Sequence, residues 1–82
     1  MAQKINDTNE MSFMKIGETY PDDYILVRII KMNNETGVHT GKALYTSAKK
    51  EDLYPYAEKE STAGETITLQ GENLRPILGG FL

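Results

Sequence analysis

The stretch YILVRIIKM, Tyr24 to Met32, limits what this chain can fold into more than any other. β-Branched and aromatic residues dominate it, so it reads as a strand. Apolar side chains nevertheless occupy both sets of alternating positions, with Arg28 in the middle. A strand of that kind needs cover on two faces, and the question is what in a short chain supplies it.

The material for cover is scarce. Ile, Leu, Val and Phe total 18 of 82 residues, near the lower border for a folding chain. A chain this short forms one domain and buries only about 60 to 65 % of the surface it exposes unfolded. With no cysteine, neither disulfides nor a cysteine-held zinc can compensate. Packing must suffice, between copies as well as within one chain.

The polar segment 1–12 holds no sustained period beyond Ile5 and Met11 and reads as a flexible N-terminal arm. A single small α+β domain is then expected over residues 13–82. Phe13, Met14 and Ile16 suit a short turn or edge strand before Gly17, and Tyr20-Pro21-Asp22-Asp23 suits a turn. Residues 24–32 and 38–46 form a hairpin around Asn33-Asn34-Glu35-Thr36-Gly37, with Gly37 free to take positive φ. Leu53, Tyr54 and Ala57 mark the inward stripe of a helix. Pro55 is harmless only in its first turn, so the regular helix is expected from about Asp52 to Glu60, after a turn. ETITLQ alternates strictly, with Ile67 and Leu69 inward, as a third strand. The expectation is a β-β-α-β layer: an antiparallel hairpin plus a third strand, with one helix packed on one face.

If the hairpin closes simply, paired positions sum to 70. Ile25, Val27 and Ile29 then lie across from Tyr45, Ala43 and Gly41, and this is the face assigned to the helix. The other face carries Tyr24, Leu26, Arg28, Ile30 and Met32 across from Thr46, Leu44, Lys42, Thr40 and Val38. Arg28 opposite Lys42 is unfavourable unless a carboxylate intervenes, for which Glu18, Asp22, Asp23 and Glu72 are candidates. The alternative is that both cations lay their stems on the sheet and keep their heads in water. A bulge at Gly37 would shift the register. Four or five side chains buried from this face, at about 1.5 to 3 kcal/mol each, match the whole stability of a small domain. A second layer is therefore expected on it, from a chain terminus or from a second copy joined by open faces or edge strands.

Motifs for chemistry are mostly missing. GVHTGKA departs from a phosphate loop in spacing and in the Ala43 after its lysine. His39 is the sole histidine, Ser47 and Ser61 have no base at a telling spacing, and Asp22-Asp23 begin no calcium loop. Asn6-Asp7-Thr8 and Asn34-Glu35-Thr36 fit the glycosylation pattern, which has meaning only after secretion. The formal charge of −3 falls entirely in residues 1–23, leaving 24–82 neutral and without a field for phosphates. Five tyrosines near Arg28, Lys42, Lys49 and Lys50 still allow a small nucleic-acid-associated regulator as the alternative. An enzyme or small-ligand binder has least support, because so small a core leaves little room for a pocket. No run reaches the ~18 apolar residues of a membrane span and no secretory leader is evident, so a cytoplasmic protein is expected. The leading expectation is a non-enzymatic protein-interaction or homodimerisation module without cofactor or metal. Its contact residues are expected to be Tyr24, Leu26, Arg28, Ile30, Met32, Lys42, Leu44 and, from the apolar C-terminus, Phe81.

Overall fold

A computed structural model describes residues 1–6 and 9–74. Phe81 and the rest of the apolar C-terminal stretch lie outside the described residues. The hairpin forms from β3 (Tyr24–Met32) and β4 (His39–Ser47). Its turn is built by Asn33, whose Oδ1 accepts from the amides of Glu35 and Thr36 at 3.0 and 3.2 Å, and by Gly37 at φ +75°, a conformation that favours glycine. A 3-10 turn (Lys50–Leu53) leads into helix α2 (Tyr54–Glu60), with Pro55 at its start, where its missing amide costs nothing. β5 (Thr66–Gln70) follows and pairs antiparallel with β3. The expected β-β-α-β unit is therefore present, in an α+β fold with an antiparallel sheet.

The N-terminal residues do more than an arm would. β1 (Gln3–Lys4) and β2 (Glu10–Ser12) both pair with β4, so the main path through the sheet runs β1-β4-β3-β5. Ile5 enters the core at 8 % exposure, and its amide donates to the Leu44 carbonyl at 2.9 Å. In place of the expected turn or edge strand, Phe13–Thr19 form helix α1. Ser12 caps it by accepting from the Lys15 amide at 3.1 Å, the usual use of a serine at a helix start.

These additions answer the cover problem. Ile16 of α1 joins Ile5, Ile25, Val27 and Ala43 in one buried cluster, flanked by Met11, Phe13, Tyr20 and Leu69. On the opposite face Arg28 reaches Glu60 of α2, and the ring of Tyr45 stacks on Tyr56 of the same helix, centroids 4.3 Å apart. Leu26 and Leu53, both fully buried, lie outside the first cluster. The helix assignment made from the sequence is thus reversed: α2 covers the Leu26–Arg28 face and α1 covers the Ile25–Val27 face.

The cause of the reversal is visible in the register. Val27, Arg28 and Ile29 pair with Ala43, Lys42 and Gly41 as a sum of 70 requires. Between Leu26 and Val27 the register slips, so that Leu26 faces Tyr45 and Tyr24 faces Ser47. One extra residue in β4, Leu44, turns every later side chain to the other face. The chain leaves β4 on the Leu26 side and its helix follows. A second slip lies between Ile29 and Lys31; the bulge considered at Gly37 is not where the shifts occur.

Two glycines are required by close approach. A Cβ on Gly71 would stand 2.2 Å from the Tyr20 carbonyl oxygen, and one on Gly41 would stand 2.5 Å from that of Arg28. Gly71→Ala is expected to destabilise the protein by about 1 to 3 kcal/mol in urea unfolding, as overpacking does. Leu26→Ala should cost about 2 to 5 kcal/mol, whereas Ile30→Ala, at an exposed position, should stay within about 0.5 kcal/mol.

Candidate functional site

The eight expected contact residues divide into those the chain uses itself and those it leaves open. Leu26 is fully buried. Tyr24 and Leu44 are half-buried, Tyr24 within the sheet between Ser47 and Gln70 and Leu44 at the bulge. Arg28 is bound by Glu60 through a hydrogen-bonded ion pair between Nη2 and Oε1, with both side chains largely shielded. A carboxylate therefore does meet the central cation, but from the helix and not from Glu18, Asp22, Asp23 or Glu72. Lys42 is exposed and has Glu10 of β2 across from it, while the Glu10 carboxylate accepts from Thr40 Oγ1 at 2.6 Å. Cross-strand placement of opposite charges relieves the Arg28–Lys42 repulsion.

Ile30 and Met32 remain open, at 44 % and 49 % exposure. They lie toward the hairpin end, where Met32 faces His39. Beside them runs a groove of about 180 Å³ lined by Ser12, Phe13, Met14, Gly37, Val38 and His39. Val38 and Met14 are strongly exposed. His39 packs against Phe13 with ring centroids 5.6 Å apart, and its buried Nδ1 has no partner among the described residues. The side chain is half-buried. Phe13 and Met14 reach the groove from the first turn of α1, a helix of seven residues too short to show a period in the sequence.

A polar cleft of about 220 Å³, lined by Met1, Gln3, Asp23, Thr46, Ser47 and Ala48, lies at the other end of β4. Next to it the Asp52 carboxylate accepts from the N-terminal ammonium and from Ser47 Oγ, each at 2.7 Å. Ser47 Oγ also accepts from the Lys49 amide at 3.2 Å. The serine is thus tied into the turn that starts the 3-10 helix, and His39 stands at the opposite end of β4. A nucleophile here would have no histidine beside it, only a carboxylate whose basicity the N-terminal ammonium lowers. Among the described residues no group of three or more His, Cys, Asp or Glu is placed to hold a metal, and no helix is long and apolar enough to cross a membrane. Of the tyrosines, Tyr45 and Tyr56 stack on each other and Tyr20 packs against the core, while Tyr54 is exposed.

β5 is the border strand beside β3; among the described residues no strand pairs with its outer edge, and just beyond its C-terminal end the Glu72 amide donates to the Gly17 carbonyl of α1 at 3.0 Å.

Compared with known proteins, the chain matches no family model, and no curated protein or solved structure is significantly similar to it.

The N-terminal ammonium, ahead of the Ser47 hydroxyl, holds the Asp52 carboxyl below its ordinary value of 3.8. A carboxyl depressed by folding stabilises the protein above its unfolded value and loses that contribution as pH falls through the folded one. In a carbon-detected NMR titration Asp52 should therefore titrate below that ordinary value, and Ser47→Ala should raise its midpoint toward it. A double-mutant cycle on Arg28→Ala and Glu60→Ala should return a coupling of about 1 kcal/mol, the upper range for a partly exposed pair.

Proposed function

We propose that this protein is a non-enzymatic, homodimeric protein-interaction module whose partner contact lies at the hairpin end. The observation that carries the reading is where open apolar surface remains once both faces of the sheet are closed. Met14, Ile30, Met32 and Val38 are all exposed, and two of them line the groove beside Phe13 and His39. Grouped apolar side chains of this kind mark contact sites more often than scattered ones do. Of the expected contact set, Ile30 and Met32 stay in the proposal and Lys42 stands on the neighbouring strand. Leu26 and Arg28 leave it, since the chain's own helix occupies them.

Among the described residues no reactive constellation surrounds Ser47, which supports the non-enzymatic half of the reading, and the formal net charge of −3 favours a protein partner over a nucleic acid. A small core at the border of stability gives self-association a thermodynamic role, because anything that binds only the folded state raises its stability.

Light scattering on the full chain should return twice 9.2 kDa at high concentration; a monomer throughout would overturn the dimer. The dye ANS, which reports exposed apolar surface, should brighten with the native protein. Paired Met14→Ser and Val38→Ser substitutions should reduce that signal several-fold without shifting the thermal midpoint by more than a few degrees. A native protein that leaves the dye dark would remove the hairpin end as a contact surface.

A further inference from the structure

We propose that the hairpin end holds a binding site for copper(I), with the imidazole of His39 and the thioethers of Met14 and Met32 as its ligands. The site lies within one chain, so the inference goes beyond the interaction reading and stands whether or not a second copy binds nearby.

The chain has four methionines and one histidine. The fold brings two of the methionines to that histidine from different elements. Met32 is the cross-strand partner of His39 in the hairpin, and residues directly opposite in an antiparallel pair share a face, with Cβ atoms about 4.5 to 5.5 Å apart. Met14 arrives from the first turn of α1 and lines the same groove as His39, next to the Phe13 ring that packs on the imidazole. Both methionines are exposed, at 49 % for Met32 and 77 % for Met14, so their sulfurs are not used to fill the core. An unbranched side chain with three rotatable bonds can turn its sulfur toward a shared point.

The imidazole itself points to a ligand. Its Nδ1 is shut off from water and has no hydrogen-bond partner among the described residues, and a buried polar atom left in that state is unfavourable. A metal ion on this nitrogen takes up its lone pair and supplies the missing partner.

The kind of ion follows from the donors. Thioethers are soft and uncharged, and they select copper(I) over harder divalent ions. A second histidine or a cysteine, whose lack weighs against a metal in the sequence, is not needed by an ion that thioethers hold. A divalent ion asks for carboxylates or more imidazoles, and among the described residues no group of three or more His, Cys, Asp or Glu is placed to provide them. Glu10, on the neighbouring strand, accepts from Thr40 Oγ1. Thr40 pairs with Lys31, and alternation places both on the opposite face of the sheet from His39 and Met32. A single positive charge on the His39 face is therefore not opposed by Lys31. Phe13 and Val38 wall the groove and limit the water that competes for the ion.

Silver(I) shares the preference for thioethers and is stable in air, which makes it the probe. In the full chain labelled with carbon-13 at the methionine methyls, one equivalent of silver(I) should shift the signals of Met14 and Met32 together with the ring signals of His39. Those of Met1 and Met11 should stay in place. Copper(I), kept reduced by ascorbate, should displace the silver from the same residues, and excess zinc(II) should not. Met14→Leu and Met32→Leu conserve volume and remove the sulfur. Loss of even an outer partner of a metal ligand weakens binding about 10- to 100-fold, so each variant should bind silver(I) at least about tenfold more weakly, with an unchanged thermal midpoint. Unchanged affinity in both leucine variants, shifts spread over all the methionines without His39, or displacement by zinc(II) overturns the site. Silver(I) that binds there but is not displaced by copper(I) overturns the choice of ion.

Discussion

The structure depends on β3 lying at the centre of a sheet with apolar side chains on both faces. Ile25, Leu26 and Val27 are consecutive and all fully buried, which in alternating geometry requires two separate layers. A chain this short has few residues to build them, and it uses two helices of seven residues each. Helices of this length are marginal in isolation, so each is held by what it packs on. The sheet and its two covers are stable only together, consistent with a single cooperative unit.

Arg28 fits this arrangement as a polar group tolerated in an apolar strand. Lys42 beside it would repel it, and Glu60 arriving from α2 offsets both that repulsion and the loss of water. The pair also ties α2 to the sheet at a defined height, while Tyr45 and Tyr56 hold it by stacking. A cation that could have served a binding surface is thereby committed to the fold. At the hairpin end the cover is incomplete: Phe13 of α1 reaches His39, while Ile30, Met32 and Val38 stay exposed.

Small size links stability and association. Among the described residues the large apolar side chains left open are Met14, Ile30, Met32 and Val38 toward the hairpin end, with Met1, Tyr54 and Ile67 apart from them. A larger domain would cover them with more chain.

Local chemistry was legible in the sequence. Asn33 and Gly37 specified the turn, Pro55 specified where the helix starts, and the alternation of Ile67 and Leu69 specified a strand, because each depends on a few neighbouring residues. The demand for a second layer and for a carboxylate near Arg28 was legible as well, from the register of the hairpin's middle. Strands of two and three residues carry no period, so β1 and β2 became visible only when β4 was in place to receive them. Ser12 was a cap without an evident helix behind it, because α1 gains its stability from packing Ile16 into the core. Only the tertiary structure decided which helix covers which face, since a single extra residue at Leu44 reverses the later side chains of β4. Bulges arise from the fit of twisted strands to their covers, and that fit is a property of the assembled sheet rather than of any segment of the chain.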